Sequence, residues 1–250
     1  MITTLDELKP NITDSAFINC DCMEALKNFP DKYFDLAVVD PPYGGAGADV
    51  DETFNGAISG RFGGRFEQYF PKDKRGHMCG GHAKKYNYGT WDIAPTADYF
   101  DELFRVSKKQ IIWGGNYFEL PPTRCFLIWK KLTISESFSM AMAEYAWTSF
   151  NANAKVFECA PQDTNRFHPT QKPLKLYEWI MQNYAKDGEV ILDTHCGSAG
   201  SLVAAYRTHH RFVGFEINKD YYTKAKERLE EEMSQMTIFD FMENDNGKDK

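Results

Sequence analysis

Four consecutive residues, Asp40-Pro41-Pro42-Tyr43, combine a carboxylate, two residues of fixed backbone and an aromatic ring. They follow Phe34 to Val39 (FDLAVV), an apolar run with β-branched residues that reads as a buried parallel strand. The carboxyl edge of a parallel sheet is where α/β folds gather their ligands. Proline fixes φ and brings no N–H to satisfy. The turn can therefore present the Asp40 carboxylate and the Pro41 carbonyl side by side as acceptors, while Tyr43 offers a flat face to a planar ring.

A second group is Leu192-Asp193-Thr194-His195-Cys196-Gly197-Ser198-Ala199-Gly200-Ser201, a small-residue turn between a strand and a helix. Small residues there let a ligand approach backbone amides at the helix N-terminus. About 20 residues on, a strand ends in Glu216, placed to accept from ribose hydroxyls as in nucleotide-binding α/β folds. The dinucleotide fingerprint G-x-G-x-x-G is absent, since only Gly197 and Gly200 are present, which counts against a dehydrogenase. A third group, His168-Pro169-Thr170-Gln171-Lys172-Pro173, sets a hydroxyl, an amide and a cation just before a helix. Alone it would read as a helix-entry loop.

The elements that must position these groups alternate along the chain. Strands are expected at 16–19, 34–39, 110–113, 124–129, 144–150, 189–192 and 212–215, and helices at 23–29, 99–106, 173–185, 202–207 and 219–233. That order predicts an open, mostly parallel, seven-stranded α/β sheet with helices on both faces. One domain spans residues 1–234, with a glycine-dense insertion at about 44–92, a second irregular segment at 151–167 and a polar tail at 235–250. No internal repeat is visible.

The 250 residues carry a formal charge of −7, which excludes a uniformly basic coat. Residues 61–90 nevertheless carry +5, leaving −12 on the remainder. Their cations are Arg61, Arg65, Lys72, Lys74, Arg75, Lys84 and Lys85, interleaved with Phe62, Phe66, Tyr69, Phe70, Tyr86 and Tyr88. Cations suit phosphates, and aromatics suit unstacked bases or wedges. Lys130-Lys131, after a strand, could face a polyanion or solvent. His77, Cys79 and His82 are spaced like part of a metal site, but no second ligand pair follows, and no metal is expected. Six cysteines are too few for a disulfide framework, no apolar run approaches the ~20 residues of a membrane span, and residues 1–12 lack a signal-peptide core. A soluble, reduced, intracellular protein is expected.

Together the three groups resemble the S-adenosylmethionine-dependent amino-group DNA methyltransferases. Asp40 to Tyr43 matches their DPPY motif, so Asp40, Pro41, Pro42 and Tyr43 are the implied catalytic residues. The resemblance implies that S-adenosylmethionine is the cofactor, held by Asp193, His195, Gly197, Ser198 and Ser201 of the loop and by Glu216. His168, Thr170 and Lys172 are similar to the segment cradling its methionine part, and Asp21 with Cys22 to the segment meeting its adenine ring. The catalytic motif precedes the cofactor loop, as in the β group, a circular permutation of the usual Rossmann-like methyltransferase. DPPY rather than a leading serine implies methylation of adenine N6 over cytosine N4, on a base flipped out of double-stranded DNA. Thr194, His195 and Ala199 depart from the family's loop, which has a proline, an aromatic and a last glycine at these places.

The resemblance further implies a cytoplasmic, nucleoid-associated enzyme of a bacterium or phage, often a homodimer, either paired with a separate nuclease or an orphan. The basic residues of 61–90 are then its first candidates for DNA contact. Near the end, Gln235-Met236-Thr237-Ile238-Phe239 is similar to the short peptide by which bacterial proteins dock on the DNA sliding clamp, through Gln235, Ile238 and Phe239.

Overall fold

A computed structural model describes residues 1–9, 12–43, 93–136, 141–161 and 165–246. The basic segment 61–90, and with it His77, Cys79 and His82, lies outside the described residues.

The strands are β1 (Ala16–Ile18), β2 (Phe34–Val39), β3 (Ser107–Trp113), β4 (Phe126–Lys131), β5 (Ala143–Thr148), β6 (Lys155–Cys159), β7 (Val190–Asp193) and β8 (Arg211–Phe215). The helices are α1 (Cys22–Leu26), α2 (Ala97–Val106), α3 (Leu174–Tyr184), α4 (Gly200–Arg207) and α5 (Lys219–Asn246). All eight strands join one sheet in the order β1-β8-β7-β2-β3-β5-β4-β6. Pairing is parallel from β1 through β3, then antiparallel for β5 against both β3 and β4.

Alternation along β2 explains why its sequence is apolar throughout. Ala37 and Val39 join a core with Leu26 of α1 and Tyr99, Phe100 and Leu103 of α2. Leu36 and Val38 join the opposite core, with Leu176 and Ile180 of α3, Leu202 of α4 and Leu229 of α5. A strand buried on both faces reads as a continuous apolar run. The apolar residues of α2, Tyr99, Phe100, Leu103 and Val106, recur at the spacing that lays one helical stripe on the sheet.

Three expectations give way. Among the described residues the sheet has eight strands, not seven, because β6 falls within the segment 151–167 expected to be irregular. It is an edge strand paired parallel to β4, and its mostly exposed residues hide the apolar signal. Helix α1 is shorter than expected. Its last carbonyls are taken by tight turn bonds from Asn28 and Phe29 and by the Arg105 guanidinium, which donates to the Leu26 and Phe29 oxygens. Finally, α5 continues into the expected tail as far as Asn246, so Gln235, Ile238 and Phe239 lie on helical backbone. No proline or glycine interrupts the chain from Lys219 until Gly247, and nothing local stops the helix. No helix among the described residues is long and apolar enough to cross a membrane.

Phe212, the second residue of β8, is 0% exposed. Phe212→Ala is expected to cost about 3–5 kcal/mol, read as a lowered urea midpoint with little change in slope.

Candidate active site

From β7 the chain passes through α4 to β8 on one side. From β2 it passes by way of α2 to β3 on the other. The carboxyl ends of β2 and β7 are neighbours, with Leu36 opposite Ile191 and Ala37 opposite Leu192. Connections diverging from adjacent parallel strands open a crevice at their ends. A cavity of about 370 Å³ sits there. Its walls include Asp40–Tyr43 after β2, the Thr194–Ser198 loop after β7, Glu216 after β8 and His168–Lys172 before α3.

At the β2 end, both Asp40 oxygens are engaged. Tyr43 donates its hydroxyl to Oδ1 at 2.6 Å, and Lys172 donates its ammonium to Oδ2. Lys172 also meets Glu144 of β5 at 3.2 Å, and the other Glu144 oxygen pairs with Lys131 of β4 at 2.7 Å. Burial lowers the Lys172 pKa, but Asp40 and Glu144 outweigh it and hold that pKa above the usual lysine value. Burial likewise opposes the Glu144 charge, yet Lys172 and Lys131 bring its pKa below the usual carboxylate value. Tyr43 is fixed from the side. Its ring stacks on Tyr117 at 4.8 Å and 22°, and it also packs on Gly114, whose φ is +66°. A Cβ at Gly114 would strike the Tyr43 ring, so a bare, left-handed backbone is required.

At the β7 end, Asp193 turns under its own loop. It accepts the His195 N–H at 2.9 Å and the Ser201 hydroxyl. Glu216 accepts Gly197 N–H and Asn218 N–H, each at 2.8 Å, tying the ends of β7 and β8 together. Gly197 has φ +52°, and a Cβ on it would come 3.1 Å from the His168 ring. Ala199 adopts φ +57° without being glycine, a strained choice at the start of α4. Thr194 bridges the Tyr99 hydroxyl, at 2.6 Å, and His195 Nδ1, at 2.9 Å. Burial keeps both imidazoles neutral: His195 falls to about 4, and His168 to about 3 with help from Lys172 and Arg166. Burial pushes the Asp193 carboxyl up to about 7 and raises Glu216 as well.

Of the residues expected to hold a ligand, Asp21, Cys22, His168, Thr170, His195, Gly197, Ser198 and Glu216 line the cavity. Asp193 and Ser201 do not. They sit behind its wall, 2% and 1% exposed, and support the loop through their mutual hydrogen bond. Lys172 lines the cavity, but its ammonium is committed to Asp40 and Glu144. Lys131 faces neither solvent nor a polyanion, being buried against Glu144. Asp21 accepts the Met23 N–H at 2.8 Å and so caps α1. Sequence reasoning missed Tyr99, Thr194, Tyr177, Tyr117 and Glu144. Only Thr194 carried a signal, by its place inside the loop.

The sequence profile of the DNA methylases of the N6/N4 type matches residues 83–227, more than half of the chain. This chain is a DNA methylase. The matched segment begins after Asp40–Tyr43, which reach the same cavity on β2. The methylase is 23% identical over 236 residues to YubD of Escherichia coli K12, covering 86% of this chain and 90% of that one. Its fold resembles that of M1.HpyAVI in complex with SAM, at 17% identity and a TM-score of 0.50, covering 85% of this chain and 98% of the other. It also resembles the cytosine-N4-specific PvuII DNA methyltransferase, at 14% identity and a TM-score of 0.53, covering 92% and 95%.

Asp193 gives this methylase a distinctive pH dependence. Its carboxyl rises from the ordinary 3.8 to about 7 on folding, so the folded chain holds that proton more tightly than the unfolded one. The stability it lends is whole below pH 3.8 and drains as the pH rises to about 7. Asp193→Asn, which keeps an acceptor for His195 N–H, is expected to gain melting temperature over the parent at pH 8 but far less at pH 5. Equal gains at both would contradict the buried charge.

Proposed function

We propose that this methylase transfers the methyl group of S-adenosylmethionine to the exocyclic N6 amine of adenine, at a specific sequence in double-stranded DNA, with the target base flipped out of the helix. One observation carries this reading: a single cavity holds Asp40–Tyr43 at one end and the Gly197 loop with Glu216 at the other.

The residues present fit the cofactor. The cavity falls within the ~300–1,000 Å³ of small-molecule sites. Ile93 and Ile217, 71% and 57% exposed at its mouth, suit an apolar ring face, and Asp21 and Glu216 suit amine and hydroxyl donors. The bare Gly197 lets the His168 ring pack against the loop at the cavity wall. Charge agrees as well. Asp21 and Glu216 line the cavity, Lys172 and Asp40 compensate each other, and the imidazoles are neutral, so the site favours a cation. When bound, S-adenosylmethionine supplies an electrophilic methyl on a sulfonium.

Asp40 and the Pro41 carbonyl then hold the amine hydrogens and turn its lone pair toward the methyl. Tyr43 receives the face of the base, which cannot reach the cavity while stacked. For the amine to reach Asp40 Oδ1, the Tyr43 hydroxyl must give up its 2.6 Å bond to that oxygen. Asp40→Ala is expected to abolish methyl transfer, followed with labelled cofactor, while cofactor binding survives by calorimetry. Tyr43→Phe should retain transfer and Tyr43→Ala should lose it. Equal turnover by Asp40→Ala would refute the mechanism.

Cytosine N4 is the second reading, favoured by the family's N6/N4 scope and by the cytosine-N4-specific neighbour. Mass spectrometry of nucleosides from treated DNA separates N6-methyladenine from N4-methylcytosine.

DNA contact is assigned to the basic residues Arg61, Arg65, Lys72, Lys74, Arg75, Lys84 and Lys85. Tyr43 and Ile93, which flank the segment containing them, both line the cavity. Neutralising Arg61, Arg65 and Lys72 together should weaken DNA binding and flatten the slope of log affinity against log salt by about 2–3. An unchanged slope would move the contact elsewhere.

A further inference from the structure

Lys172 sits in the loop expected to cradle the cofactor, yet its ammonium points the other way. It is 3% exposed, donates to Asp40 Oδ2 and Glu144 Oε2, and lies 5.2 Å above the face of Trp113. Glu144 is held in turn by Lys131. The result is an alternating chain of charges, Lys131–Glu144–Lys172–Asp40, running from β4 through β5 to the end of β2. It has no net charge, so each member is compensated without water.

We propose that Lys172 is a positioning residue for methyl transfer: held by Glu144, it clamps Asp40 Oδ2 so that Oδ1 alone is presented to the incoming amine. The proposal rests on the methyl-transfer reading above and goes beyond it by assigning Lys172 to the catalytic carboxylate rather than to the cofactor. The two Asp40 bonds differ in kind. Tyr43 can exchange its hydroxyl bond for a substrate bond, because its ring is held independently by Tyr117 and Gly114. Lys172 cannot leave without stranding the largely buried Asp40 carboxylate, whereas Glu144 would keep Lys131. An Asp40 fixed at one oxygen keeps the other in a single place, as lone-pair alignment requires.

The Lys172 ammonium meets Asp40 after β2 and Glu144 of β5, with Lys131 of β4 behind Glu144; His168 of its own loop feels its charge, and Tyr43 and Tyr177 of α3 lie beside its partners Asp40 and Glu144. Both tyrosines are pushed well above their ordinary pKa by burial, and His168 stays neutral, so none of the three titrates between pH 7 and 10. An alkaline limb brought into that window by removing Glu144 therefore reports Lys172.

The test uses the full chain, DNA from cells free of such methylation, and S-adenosylmethionine with a tritiated methyl. Lys172→Met is expected to lower kcat roughly 100-fold, with the cofactor dissociation constant, by calorimetry, within about threefold of the parent. Glu144→Gln leaves Lys172 with Asp40 as its one counter-ion. It should lower kcat less and draw the alkaline limb of the kcat–pH profile to lower pH. Should Lys172→Met fail to fold, the Glu144→Gln profile decides, and a profile superimposed on the parent's overturns the proposal. So does a Lys172→Met variant with undiminished kcat and weakened cofactor binding, which would return the ammonium to the cofactor. A parent chain inert toward every DNA tried overturns the methyl-transfer reading and the proposal with it. An active parent beside an equally active Lys172→Met overturns the proposal alone.

Discussion

The parallel pairing of β2 with β7 is the constraint on which the site depends. Leu36 lies opposite Ile191 and Ala37 opposite Leu192, and Asp35 strengthens the seam by accepting the Val190 N–H at 2.9 Å. The pairing sets the end of β2, where Asp40 begins its turn, beside the end of β7, where Asp193 begins another. A slip of one residue would turn every side chain of β2 to the opposite face and carry Asp40 away from the cavity. The two cores fix that register, because each takes alternate residues of the strand.

Around this seam the site divides its electrostatic work. On the β7 side two buried imidazoles are neutral, and the carboxyls of Asp193 and Glu216 each accept two hydrogen bonds from backbone N–H or hydroxyl donors. The β2 side keeps full charges, but in a chain where each has an opposite neighbour. Buried ions are tolerated on those terms, and their geometry is stiff for the same reason.

The fold was largely legible because strands buried on both faces, such as Phe34–Val39, announce themselves as apolar runs. The turn at Asp40–Tyr43 and the loop at Thr194–Ser198 were legible because proline and small residues punctuate the chain where a strand ends. Edge strand β6 was not, since a strand with one side in water and few buried residues lacks the signal that marks the others. Glu144 was invisible for another reason. Its partners Lys131 and Lys172 lie 13 and 28 residues away, and only the β4–β5 pairing and the approach of the loop before α3 bring the three together. That Asp193 and Ser201 lie behind the cavity wall is not legible either, because spacing along a chain does not tell which way a strand's last side chain turns.

The sheet interleaves strands far apart in the sequence. β1, built near the N-terminus, pairs with β8, so Ala16 meets Val213, and β2 waits for β7. During synthesis, the strand bearing Asp40 emerges long before the strands that flank it on one side. Until β7 and β8 leave the ribosome, its apolar edge has no native partner there. Pairings this distant in sequence close late and slowly, and an unpaired apolar strand in a nascent chain is open to the wrong neighbour. The site is thus a late product of folding: all of its walls can form only once Glu216, far along the chain from Asp40, has been made.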